Sequence, residues 1–264
     1  MPIGKWSVIG FTATGLAGLA ISTRLLPFHQ PHHEHRASAT HNDSFSMSIV
    51  APKKHNGIRE SYSLLIPAKR FKGSVSDEEI LARFTKGFFS GLAFTPERWF
   101  LSSVPFRLTD MSAIKKSLAS RSQNGTSSFA AGPEIWDPAA IPSKSTPSFA
   151  SLLFGNFLVL DSSSLTRAQR DQLPDDYIRH TKPPHAFVEL AYGSEGLGLV
   201  GSHRFEVSRH EGKQDEGTEE HVKITFSAVV CKPTGLAPSR LLTWFHILYS
   251  NFLFSDGIKG VLTE

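Results

Sequence analysis

His203, Tyr192, Glu189, His246 and Tyr249 are the residues of this chain whose types suit acid/base chemistry and whose neighbours predict burial. Imidazole, phenol and carboxyl groups transfer protons efficiently when an apolar surrounding holds them against a bound molecule. His203 lies in the alternating run Ser202-His203-Arg204-Phe205-Glu206-Val207-Ser208. As a strand, this run puts His203, Phe205 and Val207 on one face and Arg204, Glu206 and Ser208 on the other. The apolar partners predict that His203 points inward, as a proton-transfer group or as a core histidine with its hydrogen bonds met. One strand earlier, Val188, Leu190 and Tyr192 share a face, and Phe187, Glu189 and Ala191 share the other. An interior space is therefore lined by Tyr192 or by Glu189, not by both. His246 and Tyr249 are the polar tips of a helix expected over residues 240–256, apolar nearly all round.

These side chains need a frame, and residues 187–261 read as one: strand, Gly-rich turn, strand, acidic loop, strand, Pro/Gly break and closing helix. Val222, Ile224, Phe226, Ala228 and Val230 form the clearest period-two pattern in the chain and predict the inward side of the third strand. Upstream, residues 61–68 read as a first strand. Ser76 then caps a helix, with Glu79 completing a capping box, an apolar stripe through Ile80, Leu81, Phe84, Phe88 and Phe89, and Gly91 as its end. Thr95-Pro96-Glu97 starts a second helix, with Thr95 expected at the cap. Ser, Gly and Pro dominate residues 115–148, which predict a flexible insertion or a lid. A strand returns over residues 151–162, and residues 165–173 suit a turn of helix. The fold class expected is α+β: a curved antiparallel sheet packed on a long C-terminal helix, behind an N-terminal hydrophobic segment.

Residues 1–26 are that segment. The run from Trp6 to Thr23 is uncharged and flanked by Lys5 and Arg24. A single membrane anchor is the favoured reading, at the short end of the length a crossing helix needs. A secretory signal and a mitochondrial presequence are the alternatives. Residues 27–57 lack periodicity and predict a disordered tether. The tether carries six of the 12 histidines, His29, His32, His33, His35, His41 and His55. Metal ligands sit on rigid frames with supporting hydrogen bonds, so no metal site is expected there. Residues 58–264 are expected to form one domain.

Several functional classes fall away. Gly196-Leu197-Gly198-Leu199-Val200-Gly201 matches a dinucleotide fingerprint in letters, but a strand follows it where the fingerprint needs a helix. The glycines therefore predict a hairpin or bulge, and no cofactor is expected. The net charge of +4 comes from dispersed Lys and Arg, which gives no nucleic-acid interface. Cys231 is the only cysteine, so no internal disulfide holds the fold, and its position at a strand end predicts a buried, inert thiol. Phe occurs 20 times against 4 Trp and 4 Tyr, which favours a bulky apolar interior or pocket.

Three short motifs, Leu190-Ala191-Tyr192-Gly193-Ser194, Gly201-Ser202-His203-Arg204-Phe205 and Cys231-Lys232-Pro233, resemble an uncharacterised family of plant and bacterial proteins known as a domain of unknown function. That family carries a Y-G-T strand end, a G-E-E-x-F loop and an S-x-P strand end before a closing helix. Ser202-His203 replaces its acidic pair here. The resemblance covers the last third of the chain and implies a helix-grip or related lipid-binding α+β fold, with no established activity. The expectation for function is a membrane-tethered protein that binds a hydrophobic small molecule, a lipid or polyketide-like metabolite, in an apolar cavity. A cofactor-independent cyclase, isomerase or dehydratase acting on such a molecule is the first alternative. A membrane-surface interaction protein is the second.

Overall fold

A computed structural model describes residues 31–37, 39–50, 57–71, 73–104, 107–121, 131–166, 169, 185–194, 198–211, 219–232 and 240–263. The expected N-terminal anchor and most of residues 165–173 lie outside them. Eight strands form one curved, unclosed mixed sheet. They are β1 (His32–Glu34), β2 (Gly57–Pro67), β3 (Glu134–Ile135), β4 (Leu152–Leu153), β5 (Phe157–Ser162), β6 (Ala186–Ser194), β7 (Leu199–Glu211) and β8 (Glu220–Cys231). Their order is β1-β2-β8-β7-β6-β5-β4-β3, antiparallel at every step except β3 beside β4. The fold is α+β, as its alternation and helical stripes predicted.

Among the described residues, six α-helices accompany the sheet: α1 (Ala39–Asn42), α2 (Phe45–Val50), α3 (Asp77–Ser90), α4 (Thr95–Ser103), α5 (Met111–Arg121) and α6 (Arg240–Thr263). The inner face carries α3 and α6. Val222, Ile224, Phe226, Ala228 and Val230 of β8 turn to that face and join Phe84, Phe88, Phe205 and Phe254 in the main core. Each phenyl ring fully removed from water contributes on the order of 1.5–3 kcal/mol. The α3 N-terminus forms as its sequence predicts, with Ser76 Oγ accepting the Glu79 N–H at 3.2 Å and three acids in the first turn facing the positive end of the helix dipole. Where α3 crosses α6, a Cβ on Gly260 would lie 2.8 Å from Gly87 Cα. Two glycines thus let the helices approach closer than side chains permit. Asp256 of α6 accepts the Ala93 N–H at 2.8 Å and so fixes the turn after α3.

Several boundaries depart from expectation. Residues 31–50 are not a structureless tether. His33 pairs with Tyr62 across β1 and β2. Phe45 and Ile49 pack with Leu158, Leu160 and Ala191 on the outer face, while Met47 packs with Val229 and Cys231. Helices this short leave no repeat in the sequence, so the apolar residues of α2 read as scattered. The strand expected to be the first is β2, and it begins at Gly57, four residues before the expected start at 61. Residues 151–162 split into β4 and β5, because Phe154 and Gly155 take positive φ values of 51° and 66° and turn the chain. Part of the insertion expected at 115–148 is ordered as α5, whose Ile114 and Leu118 pack on the outer face. Phe94, not Thr95, occupies the cap position of α4. The closing helix runs to Thr263 rather than 256.

Candidate functional site on the inner face

The inner face is closed along its length, and its side chains differ by only a few per cent in exposure. Phe205, Val207, Val222, Ile224 and Phe226 are 0% exposed, whereas Ile58 keeps 8%, His203 7%, and Tyr192 and Val230 6% each. Helix α6 divides along its length. Ser250, Leu253, Phe254 and Ile258 are buried, residues 245–249 are half-buried, and Leu241 and Trp244 are exposed. The first half of α6 lies in the recess of the curved sheet, over the strand row around Ala228. That row places Glu60 of β2 opposite Ala228, and His203 of β7 opposite Ala228 on its other side. Two strand spacings separate Glu60 and His203 by about 10 Å, with only a methyl group between them.

His203 points inward, as the alternation predicted. Its ring lies among Tyr192, Phe226, Phe157 and Phe88, with centroid distances of 4.7, 5.2, 5.6 and 5.7 Å. Its Nδ1 is buried with no hydrogen-bond partner. Burial, reinforced by His246 and His41, holds the imidazole well below its usual range, so it is neutral. Tyr192 shares the recess, but its hydroxyl donates to Val229 O at 3.2 Å. The ring can reach that carbonyl only because Gly201 has no side chain, since a Cβ there would lie 2.5 Å from the hydroxyl. Burial pushes this phenol well above its ordinary value.

Glu189 is absent from this face. The structure thus decides the choice left by the sequence: Tyr192 lines the recess, and Glu189 belongs to a charged network buried on the outer face. Ser44 and Ser202 donate to its Oε1 at 2.6 and 3.0 Å, and Arg204 Nη1 donates to Oε2 at 3.1 Å. Burial pushes Glu189 up to about 7 against the pull of Arg204. Arg204 also donates to Glu206 at 2.9 Å and lies 4.0 Å over the Phe187 ring. This network joins α2's leading residue Ser44 to the sheet; it does not face the recess.

His246 and Tyr249 reach the inner face together, one turn apart on α6, and each meets an acid that the sequence did not single out. His246 Nε2 lies 3.2 Å from Glu60 Oε1, an ion-pair distance without straight hydrogen-bond alignment. Burial alone would raise Glu60, but His246, Ser250 and Tyr62 outweigh it and hold the carboxyl below its usual range. His33 approaches the other oxygen of Glu60 at 3.6 Å and stacks on Tyr62, with centroids 4.5 Å apart. The Tyr62 hydroxyl donates to Ile247 O at 2.6 Å and so ties α6 to β2. Tyr249 donates to Glu97 Oε2 of α4 at 2.7 Å. Burial pushes Glu97 up to about 7, against the pull of the Tyr249 hydrogen bond and of His246.

The recess thus gathers His203, Tyr192, His246 and Tyr249 with Glu60, Glu97, Tyr62 and His33. Period-two reasoning could have assigned Glu60 to the face of Ile58 and Tyr62 had the strand been started at Gly57. Glu97 offered only the signal of a helix first turn. Among the described residues, no group of three or more His, Cys, Asp or Glu side chains is arranged to hold a metal ion, and no helix is long and apolar enough to cross a membrane. Burial raises the Cys231 thiol above its usual value, and the side chain packs under Met47. No protein-family model, no curated protein and no solved structure matches the chain.

Proposed function

We propose that the protein binds a hydrophobic small molecule, a lipid or polyketide-like metabolite, in the recess between the sheet and the first half of α6. The observation that carries this reading is the buried imidazole of His203, its Nδ1 unpartnered among four aromatic rings. Such a surface combines a large apolar area with a few fixed polar groups. A buried imidazole nitrogen without a partner costs about 1–3 kcal/mol, and a ligand hydroxyl or carbonyl group beside His203 would recover it. The helices α3, α4 and α5 following the first long strand, the pairing of that strand with the last, and a long C-terminal helix across the sheet also support the helix-grip likeness. The uncharged run of residues 6–23 is proposed to hold the protein at a membrane.

The enzymatic alternative is favoured by a separate observation, the Tyr249–Glu97 pair beside His246. A carboxyl pushed up to about 7 titrates where acid/base catalysts work. Native mass spectrometry of the full chain, purified from its own organism, tests the binding reading: a co-purifying apolar molecule is expected. Carriage alone predicts that His203→Ala keeps retention of pure hydrocarbons and weakens only that of molecules carrying a hydroxyl or carbonyl group. An enzyme predicts turnover of the retained molecule and its loss in the acid/base variants. An empty protein that takes up no apolar probe overturns the proposal.

A further inference from the structure

We infer that Glu60, His246, Tyr249 and Glu97 form a proton-transfer site for an apolar ketone with acidic hydrogens beside its carbonyl group. This rests on the binding reading and assigns the chemistry within the same recess. Glu60 is a positioning residue: buried on β2, it faces His246 Nε2 at 3.2 Å. A carboxylate 3.2 Å away attracts a hydrogen to Nε2, and alignment of the pair on ligand binding would leave Nδ1 as the lone-pair nitrogen. A carboxylate behind an imidazole also stabilises the imidazolium formed when that nitrogen takes a proton. His33 and Tyr62 crowd the other carboxylate oxygen, at 3.6 and 3.1 Å, and fix its plane.

Tyr249 follows His246 by one turn of α6, so both side chains leave the same helix face. Its hydroxyl lies 2.7 Å from Glu97, which reaches in from α4. A neutral carboxyl beside a tyrosine can donate a hydrogen bond to an oxyanion that develops in a dry site. One helical turn therefore separates two carboxyl–side-chain pairs, Glu60 beside His246 and Glu97 beside Tyr249.

The step balances without a co-reactant. His246 Nδ1 removes a proton from the carbon beside the ketone. The C–H bond breaks, its electron pair forms a carbon–carbon double bond, and the carbonyl π pair moves to oxygen. Protonated Glu97, held in place by the Tyr249 hydroxyl, donates to that enolate oxygen. The imidazolium then delivers a proton to a conjugated carbon for isomerisation, or first trades its hydrogen with solvent and returns the solvent-derived one to the same carbon for exchange, and neutral imidazole is restored. His203, across Ala228, is left to hold a distal polar group of the ligand.

The test uses 2-tetralone, an apolar ketone with two activated methylenes, and the full chain in deuterated buffer. Proton NMR follows loss of the hydrogens beside the carbonyl, and saturation transfer reports binding separately. Saturable exchange about a hundredfold or more above free imidazole is expected. His246→Gln should remove it while binding persists. Glu60→Gln should slow exchange and move the low-pH limb of the profile, a response that a purely structural role would not give. In the native chain the rate should fall as pH rises through about 7, where Glu97 loses its proton, and Glu97→Gln should abolish that fall. Binding without exchange, or exchange unchanged in His246→Gln, overturns the inference and leaves the binding reading standing. Absence of saturation transfer for this probe and for apolar probes generally overturns both.

Discussion

Gly87 and Gly260 touch backbone to backbone where α3 crosses α6, so that a Cβ on Gly260 would stand 2.8 Å from Gly87 Cα and 2.9 Å from Arg83 O. The crossing sets the height of α6 over the sheet, and hence the position of His246 and Tyr249 above Glu60. Alanine favours a helix over glycine by about 1 kcal/mol, which alone would make Gly260→Ala stabilising. Forced separation of two packed helices costs about 1–3 kcal/mol, and the atoms that must move are backbone. Gly260→Ala is therefore expected to lower stability in urea denaturation. A gain in stability would show that the helices do not meet there.

Arg204 and Glu189 make a different kind of contact, an ion pair 3.1 Å long with both side chains almost fully buried. Removing the cation leaves Glu189 among Ser44, Ser202 and His41 without compensation. Above pH 7, where Glu189 is ionised, Arg204→Met is expected to cost about 3–5 kcal/mol. Glu189→Gln keeps an oxygen for the two serine hydroxyls and is expected to cost nearer 1 kcal/mol. Denaturant midpoints of the two variants measure the gap, and equal losses would remove the pair from its place in the fold.

Residues 31–50 supply the cover of the outer face. Phe45→Ala, at a 2% exposed site against Leu158 and Leu160, is expected to cost about 3–5 kcal/mol. Met47→Ala should loosen the lid over Cys231 and speed its reaction with a thiol reagent under native conditions. Rates equal to those of the unaltered chain would mean that the segment does not cover the strand.

That segment also marks where the sequence was hard to read. The β8 pattern of Val222, Ile224, Phe226, Ala228 and Val230 was legible because one sheet face is wholly apolar and repeats every second residue. The same repeat carried His203 to the inner face. Phe45, Met47 and Ile49 were illegible because a six-residue helix completes too few turns to display a stripe. Glu60 and Glu97 were missed for another reason. Their burial depends on partners 186 and 152 positions away, His246 and Tyr249, and no local window contains both members of either pair.

The buried titratable groups set an acid limit on stability. Glu97 and Glu189, raised to about 7, hold protons in the folded chain that the unfolded chain releases above 4.5. Their contribution is complete below 4.5 and is lost as pH rises through 7. His41, lowered to about 3, and His203, lowered well below 6.5, act in the opposite sense: their contribution is complete above 6.5 and fades as pH falls. Two acids and two imidazoles therefore oppose one another between 4.5 and 6.5. Below 4.5 the raised acids no longer change, while Glu206, lowered to about 2, and Glu60 join the histidines. Stability is expected to be nearly level from 6.5 to 4.5 and to drop steeply below, read as the urea midpoint against pH. A steady decline starting at 6.5 would show that Glu97 and Glu189 are ionised in the folded protein.

His203→Leu separates stability from function most directly. The imidazole sits within 6 Å of four aromatic rings, with Nδ1 unpartnered. Leucine has similar volume and no polar atom to leave unsatisfied, so the variant is expected to be more stable by about 1–3 kcal/mol. A core histidine kept only for packing would show that gain and nothing else. A histidine that meets a ligand should show the gain together with weaker retention of molecules carrying a hydroxyl or carbonyl group, while binding of pure hydrocarbons is kept. Urea denaturation and competition between matched polar and apolar probes measure the two halves. A loss of stability in His203→Leu would mean that the imidazole nitrogen is already satisfied in the folded chain, and the recess would then lack the polar contact on which ligand recognition at His203 depends.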